Sequence, residues 1–494
     1  MRELVTTRWG QVQGQEKESV YSWLGMPYAA PPWGERRFAR PYPPDRWDGV
    51  RNASGFGPAS PQVIQLPGGD LPDGGEEPDC LTINVWAPAD VEGPLPVMVW
   101  IYGGAFLAGS AAEAAYDGSA LARLGVVVVT FNYRLGVDGF GELEGAVANR
   151  GLLDQVAALE WVRDNISAFN GDASRVTIFG ESAGAGCILA LLTMPCARGL
   201  FHRAIMQSVP NLFFSRALSR SITESIAAAA GIAQDDIGAF KALSLDALIK
   251  ATLQVRADMG SRLDWGRVAQ SVTPIGPVVD GEILPEDPWT ALRRGASREV
   301  PFIIGHNRDE YRVFLAQPGK PCQVTNEQLE KALETFAPNG DVGAYHSALP
   351  GEDAASLYEK VQGDWLFLSA VTQAAQAQLE AGGTVFMYEF CIEAPGGMGS
   401  PHAIDLPFTF DTFGVGMGAM IPYPTEAERQ TGERLRRAWV RFASGDDPWP
   451  QWGDKQQVQI WGEGDEVRAY PESRRMELWR HEPCTALFKR TVNG

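Results

Sequence analysis

Short apolar runs alternate with longer amphipathic stretches along this chain. The runs at residues 96–101, 175–179, 300–304 and 384–390 predict buried strands, because each is brief and rich in β-branched or aromatic residues. An alanine-rich amphipathic stretch at 219–272 and a second block at 326–381 predict helices. Together these elements indicate an α/β protein.

One apolar stretch has the composition of a membrane span. Residues 93–112 carry no charged side chain and are nearly long enough to span a bilayer. Prolines and glycines interrupt this stretch, so we interpret it as a strand followed by a loop and not as a membrane span.

Gly180–Gly184 form a G-x-S-x-G motif between the strand at 175–179 and a predicted helix at 185–192. A strand, a sharp turn and a helix are the context of a nucleophile elbow, in which flanking glycines allow a close approach of the backbone. Ser182 is therefore a candidate nucleophile, since the turn exposes its hydroxyl group at the start of a helix.

A serine nucleophile needs a base, an acid that orients the base, and donors for the oxyanion. Gly103 and Gly104 follow the strand at 96–101 and fit an oxyanion loop, although an ordinary turn would look the same. Among the five histidines, His402 and His306 each follow a predicted strand, and spacing alone does not choose between them.

The acid is expected in the loop that starts at His306. Asp309 and Glu310 both lie there, and the physical chemistry of the two carboxylates does not distinguish them.

At this point the chain resembles the type-B carboxylesterases, the branch of the α/β-hydrolases that also contains the cholinesterases. In particular, it resembles the bacterial p-nitrobenzyl-type esterases. The resemblance implies an α/β-hydrolase fold with helical insertions. It rests on segments 24–29, 79–85, 132–136, 151–155, 170–172 and 199–201, together with the G-x-S-x-G motif.

The resemblance also implies roles for individual residues. The family acid is a glutamate in a G-x-N-x-x-E pattern, which places it at Glu310 and makes Asp309 and His306 bystanders. The family base lies in a loop that matches residues 402–408, which implies His402.

Further assignments come from the same resemblance. The oxyanion donors match the amides of Gly104, Ala105 and Ala183, and no metal or cofactor is implied. Glu181 matches a carboxylate that lies behind the catalytic groups and modulates them. Ser208 is expected to support the site from a similar position.

The sequence also departs from the family. An arginine matching Arg37 often pairs with a glutamate where Pro78 stands, so this pair is lost unless Glu76 or Glu77 substitutes. The tryptophan that binds choline in cholinesterases is absent about ten residues before Cys80, which disfavours choline esters.

Aromatic and aliphatic residues adjacent to the catalytic motifs are candidates for the substrate pocket. We select Leu212, Phe213, Phe314 and Phe408. The polar segment 66–78 is interpreted either as a mobile lip over the entrance or as a plain surface loop.

Length alone would suggest about three domains for 494 residues. The catalytic segments must meet within hydrogen-bond distance, however, so we predict a single catalytic unit over 1–494. The blocks at 219–272 and 326–381 are then helical insertions around the entrance to the active site.

Charge and cysteine content narrow the class of protein further. A net charge of −19 disfavours nucleic acid and anionic membranes as partners, since phosphate contacts need clustered lysine and arginine. The N-terminus lacks the apolar core of a signal peptide, so six free thiols and a cytoplasmic location are expected.

These observations together predict a serine carboxylesterase. It would hydrolyse neutral esters of short to medium chain length through an acyl-enzyme, with a small-molecule ester as its partner. A lipase, an amidase and a thioesterase are alternatives on the same triad, and a non-catalytic interaction protein on the same fold is a further one.

Overall fold

The computed structural model describes residues 3–62, 71–72, 74–91, 93–315, 324–462 and 464–490. Sixteen strands lie in this part of the chain. They are β1 Leu4–Thr6, β2 Gln11–Gln13, β3 Gln15–Lys17, β4 Val20–Pro27, β5 Val50–Asn52, β6 Thr82–Pro88, β7 Leu95–Ile101, β8 Val127–Phe131, β9 Gly171–Glu181, β10 Arg203–Gln207, β11 Phe214–Ser215, β12 Val278–Val279, β13 Phe302–Asn307, β14 Val385–Phe390, β15 Gln457–Trp461 and β16 Val467–Ala469.

Eleven of these strands form one mixed sheet in the order β16-β15-β14-β13-β10-β9-β7-β8-β6-β4-β3. The neighbours from β15 to β8 pair in parallel, and the strands at both edges pair antiparallel. Every residue of β7, β8 and β13 is buried. Because successive side chains point to opposite faces, both faces of the central sheet are covered.

The helices of the described residues cover this sheet and extend beyond it. The α-helices are α1 Ser119–Ala122, α2 Gly136–Phe140, α3 Arg150–Asn165, α4 Ala183–Leu191, α5 Arg216–Ala230, α6 Ile237–Ala242, α7 Leu245–Asp258, α8 Pro288–Arg293, α9 Arg312–Leu315, α10 Asn326–Phe336, α11 Val342–Ala348, α12 Ala354–Gly363, α13 Ser369–Glu380, α14 Leu406–Phe410, α15 Glu426–Ser444 and α16 Ser473–Leu478. A π-helical turn, Asp364–Leu368, joins α12 to α13.

Short 3-10 helices complete the set. They are Gly34–Arg36, Ala114–Tyr116, Ile166–Phe169, Pro195–Ala197, Met259–Ser261, Leu263–Gln270, Pro338–Gly340 and Gly416–Met420. In the described part of the chain, no helix combines the length and the apolar character needed to cross a membrane.

Helix α15 shows how local sequence fixes an element that packs on the sheet. Thr425 and Glu428 form a capping box at its start, and Gly445 ends it in a left-handed conformation. Leu435 and Trp439 are buried on one face of the helix, which contacts β7 and β9. The amphipathic pattern therefore attaches this helix to the centre of the sheet.

The chain around 219–272 folds as a helical pair beside the sheet. Ser215 caps α5 and Ser244 caps α7, each by accepting a hydrogen bond from a backbone amide in the first turn. The two helices pack against each other, and α7 also contacts α2. In the block 326–381, α10 and α12 pack together, whereas α13 lies against β13 and β14.

The sheet brings the predicted site residues to one edge. The carboxyl ends of parallel neighbours lie at the same edge of a sheet, where α/β proteins build their sites. A candidate residue follows each of five adjacent strands: Gly104 follows β7, Ser182 follows β9, Ser208 follows β10, Glu310 follows β13 and His402 follows β14.

Candidate active site

Ser182 occupies the sharp turn between β9 and α4. Its backbone has φ 54° and ψ −125°, a conformation that costs energy for a residue with a side chain. Its amide donates a 2.8 Å hydrogen bond to the carbonyl of Gln207 at the end of β10. A Cβ at Gly184 would overlap the carbonyl oxygen of Ile101, so the second glycine of the motif is required by close packing.

Ser182, His402 and Glu310 form a continuous chain of hydrogen bonds. The hydroxyl oxygen of Ser182 lies 2.8 Å from His402 Nε2. His402 Nδ1 lies 2.6 Å from Glu310 Oε2. All three side chains lie in the interior of the protein or at the cavity floor, so water screens these contacts little.

The carboxylate of Glu310 is held by two further donors. The Ser208 hydroxyl donates to Oε1 at 2.5 Å, and the amide of Asn307 donates to the same oxygen at 2.8 Å. The other carboxylate oxygen is thereby oriented toward His402. The sequence analysis expected Ser208 to support the site, and in the structure its hydroxyl contacts the carboxylate of Glu310.

A second carboxylate faces the other ring nitrogen of the histidine. Glu181 Oε1 lies 3.0 Å from His402 Nε2, but outside hydrogen-bonding geometry, since Nε2 is directed at Ser182. Burial disfavours the charged imidazole, but the carboxylates of Glu181 and Glu310 outweigh it and raise the pKa of His402. Burial likewise raises the pKa of Glu181, against the opposing effect of His402.

Aromatic rings fix the imidazole of His402 from the side. Phe367 stacks on it with ring centroids 4.5 Å apart and an interplanar angle of 30°, and Phe314 lies 5.5 Å away. Phe367 belongs to the π-helical turn, where the amide of Asn211 donates a 2.7 Å hydrogen bond to the carbonyl of Leu366. The sequence analysis missed Phe367, because an aromatic residue in a buried helix has the same pattern as a core residue.

The loop after β7 presents backbone amides beside Ser182. The amides of Gly104 and Ala105 donate to no other group in the described residues, and both residues line the same cavity as Ala183. Gly104 has φ 112°, and a Cβ there would overlap the carbonyl oxygen of Ala108. Thr273 holds the loop by donating a 3.0 Å hydrogen bond to the carbonyl of Ala105.

Ser182 and His402 open into a cavity of about 720 Å³. Leu212 and Phe314 line it, in accord with their selection from the sequence. Phe213 and Phe408 do not line it, and their selection was wrong. Phe213 packs edge-on against Trp289, and the ring of Phe408 contacts Phe390 and Phe413.

Both helical blocks contribute to the cavity wall. The first supplies Leu253, Arg256 and Met259, and the second supplies Leu366 and Phe367. Arg256 reaches the cavity through the packing of α7, although it is distant in sequence from every motif.

The rejected catalytic candidates have structural contacts of their own. His306 is buried, with Nε2 2.6 Å from the hydroxyl of Tyr470, and makes no contact with Ser182. Asp309 accepts a 2.8 Å hydrogen bond from the amide of Ser400 and forms an ion pair with Arg312. Asp309 therefore holds the loop that leads to His402.

Arg37 finds a carboxylate that the sequence analysis did not consider. Its Nε lies 2.8 Å from Asp138 Oδ1, and both side chains are largely buried. Glu76 and Glu77 are exposed. Neither Glu76 nor Glu77 substitutes for the family glutamate in the described residues, and Arg37 pairs instead with an aspartate 101 residues away.

The cysteines, the candidate lip and possible metal ligands were also subjects of prediction. Cys80, Cys187, Cys196 and Cys484 carry free thiols, and Cys322 lies outside the described residues. Residues 66–70 and 73 of the candidate lip at 66–78 also lie outside them. Within the described ranges, no group of three histidine, cysteine or acidic side chains is arranged to hold a metal ion.

Comparison with known proteins identifies the class. The model of the carboxylesterase family matches residues 2–470. The para-nitrobenzyl esterase of Bacillus subtilis is 37% identical over 478 residues, which cover 92% of this chain and 93% of that protein. A carboxylesterase structure from Geobacillus stearothermophilus aligns with a TM-score of 0.85 at 35% identity. The alignment covers 97% of this chain and 100% of the Geobacillus chain.

A solved para-nitrobenzyl esterase structure gives a TM-score of 0.84 at 34% identity, with 97% of this chain and 99% of its own covered. The mostly parallel sheet and these structural neighbours define an α/β-hydrolase fold. The chain belongs to the carboxylesterase family and is a carboxylic ester hydrolase.

Proposed function

We propose that this protein is a serine carboxylesterase that works through an acyl-enzyme. The observation that carries the proposal is the chain of hydrogen bonds from the Ser182 hydroxyl through His402 to Glu310, with distances of 2.8 and 2.6 Å. A serine hydroxyl is a weak nucleophile unless a base takes its proton, and this arrangement supplies the base and the carboxylate that orients it.

In the first half-reaction, Ser182 Oγ attacks the ester carbonyl and its proton moves to His402 Nε2. The carbonyl oxygen becomes an oxyanion, which accepts hydrogen bonds from the amides of Gly104, Ala105 and Ala183. The carbon–oxygen bond to the alcohol then breaks, and the departing oxygen takes the proton from Nε2. The acyl group remains on Ser182.

In the second half-reaction, water takes the place of the alcohol. His402 removes a proton from the water, which attacks the acyl carbonyl and forms a second oxyanion in the same amide pocket. Collapse of this intermediate returns the proton to Ser182 Oγ and releases the carboxylic acid. Glu310 stays ionised in both steps and stabilises the protonated imidazole.

The cavity supports a preference for short to medium acyl chains. Its wall is largely aliphatic and aromatic, and its volume of about 720 Å³ is within the range of small-molecule sites. Each buried methylene contributes about 0.8 kcal/mol until the space is filled. We propose that neutral acyl chains bind in this cavity. We also propose that the chain is a single catalytic unit, with blocks 219–272 and 326–381 flanking the entrance to its active site. The proposed location of the enzyme is the cytoplasm.

A labelling experiment tests the proposed nucleophile. A fluorophosphonate should inactivate the purified protein with a stoichiometry of one, and peptide mass spectrometry should locate the adduct on Ser182. An adduct on another residue, with Ser182 unmodified and activity lost, contradicts the proposal. A series of p-nitrophenyl esters from acetyl to palmitoyl then tests the chain-length preference, and a maximum at palmitoyl emulsions contradicts that part.

A further inference from the structure

Arg256 is an unusual residue for the wall of this cavity. It lies on α7, is half-buried, and lines the cavity together with apolar neighbours such as Leu253 and Met259. Its Nε donates a 3.3 Å hydrogen bond to the carbonyl of Val272. Its two terminal Nη groups form no hydrogen bond or ion pair with any residue that the structure describes.

A neighbouring arginine shows what a structural role looks like in the same segment. Arg262 pairs with Asp264 and donates a 2.6 Å hydrogen bond to the Ser225 hydroxyl. Its guanidinium group is thus used by the fold. The terminal nitrogens of Arg256 are not used by the fold, although they belong to a cavity-lining residue.

The guanidinium group has a defined relation to the catalytic end of the cavity. The carbonyl that accepts from Arg256 belongs to Val272, and the next residue, Thr273, donates a 3.0 Å hydrogen bond to the carbonyl of Ala105. The same strip of backbone therefore holds both Arg256 and the proposed oxyanion loop. Arg256 is fixed relative to Ser182 without touching it.

The half-buried guanidinium group stands beside apolar neighbours, so a ligand that displaces the water around it must supply an opposite charge to avoid a desolvation cost. The carboxylate that lines the cavity, Glu181, lies beside His402, and no ion pair joins it to Arg256 in the described residues. We propose that the missing partner of Arg256 is a carboxylate of the substrate, on a part of the ester remote from the scissile bond.

The chemistry of the guanidinium group defines the substrate class. With Nε committed to Val272, the Nη1 and Nη2 groups remain and present the planar fork that binds a carboxylate through two parallel hydrogen bonds. The preferred substrates are thus esters with a neutral reacting end and an anionic far end. This inference rests on the proposed function, and it qualifies the expectation of uniformly neutral esters.

Matched substrates test the inference on the alcohol side. 4-(Butyryloxy)benzoate carries the anion, 4-(butyryloxy)benzamide is its neutral partner, and 4-(butyryloxy)phenyltrimethylammonium carries a positive charge. Monomethyl adipate against methyl hexanoate tests the acyl side in the same way. For each pair, the ratio of kcat/KM values is compared between variants, so that differences in intrinsic reactivity cancel.

Arg256→Gln should lower the ratio of kcat/KM for the anionic substrate to kcat/KM for the neutral substrate about tenfold. This is expected on at least one side of the ester, because a charge-assisted pair is lost. Arg256→Glu should lower it further and raise the ratio for the trimethylammonium ester. Arg256→Lys should give an intermediate ratio, since it keeps the charge but loses the fork. Arg220→Gln, an exposed arginine on α5, should leave every ratio unchanged.

Unchanged ratios in both Arg256→Gln and Arg256→Glu, on both sides of the ester, would overturn the inference. The proposed function would still stand if Ser182→Ala abolishes hydrolysis of the neutral esters. If the purified wild-type protein hydrolyses none of these esters, the proposed function itself fails. The melting temperature of each variant is measured, so that a change in the kcat/KM ratio is not mistaken for loss of the fold.

Discussion

The catalytic edge of the sheet and the helical wall of the cavity are built in different ways. At the edge, each side chain follows a strand and has a committed partner: Ser208 and Asn307 hold Glu310, and Glu310 holds His402. At the wall, side chains come from helices distant in sequence, and Arg256 keeps unpaired donors.

This contrast separates reaction from recognition. Strand ends in a parallel sheet are rigid and adjacent, so they hold atoms at the distances that proton transfer requires. Residues on the packed helices of the wall can be substituted with little effect on those distances. We expect changes at the edge to alter kcat strongly, and changes at the wall to alter the choice of substrate.

The largest effect is expected from Ser182→Ala. Removing the nucleophile should lower kcat by roughly 10⁴-fold or more while the fold remains, as for other triad deletions. Hydrolysis of p-nitrophenyl butyrate and a thermal melt measure the two properties. If a clean preparation of the variant keeps activity near that of the wild type, ester hydrolysis does not depend on Ser182 in the nucleophile elbow.

Glu310→Gln and His402→Ala should each approach the loss seen with Ser182→Ala, because the three groups act as a unit. The neighbouring Asp309→Asn is the matched control. It keeps an oxygen that can accept from the amide of Ser400, so most activity should remain. If kcat depends on Asp309 and not on Glu310, the assignment of the acid is displaced by one residue.

Ser208→Ala should have an intermediate effect. It removes one hydrogen bond to Glu310 and leaves that of the Asn307 amide, so kcat should fall about tenfold. KM should change little, since Ser208 lies behind the acid and not in the cavity lining. A rise in KM without a fall in kcat would assign Ser208 to substrate binding instead.

Glu181→Gln should move the pH dependence. His402 acts as a base only when neutral, and the carboxylates raise its pKa, so the acid limb of kcat/KM lies above the ordinary histidine range near 6.5. Removing the charge of Glu181 withdraws part of that stabilisation of the imidazolium. The acid limb should therefore shift to lower pH, and a shift to higher pH would contradict this electrostatic role.

The smallest effect is expected at the wall. Leu253 lines the cavity but is 37% exposed, so Leu253→Ala should lower kcat/KM only a few-fold, by weakening apolar contacts. The loss should grow from acetyl to hexanoyl esters. An equal loss for all chain lengths would mean that Leu253 supports the catalytic edge, which would weaken the distinction between the two regions.

The arrangement of residues at this edge of the sheet could be predicted closely from sequence because its signals are local. The elbow places β9 and α4 within a few residues of Ser182, and the strand and helix are found there. The choice of Glu310 and His402 needed the family resemblance as well. Alternative acids and bases in the same loops have similar local patterns.

The wall was less predictable, for a physical reason. Phe213 and Phe408 lie within a few residues of site residues in sequence, yet their rings pack into the core, since side chains close together on a turn or helix point in different directions. Phe367 and Arg256 reach the site only through helix packing. Such contacts depend on tertiary structure, and short motifs do not encode them.

The π-helical turn Asp364–Leu368 has a consequence for how this protein can be redesigned. Buried Asp364 anchors the turn through Arg475 and Tyr345, and the turn brings Phe367 onto the imidazole. One residue of an α-helix corresponds to about 100° of rotation. Deleting a single residue here would therefore swing a different side chain toward His402, so that insertions and deletions in this helix reshape the chamber more than substitutions do.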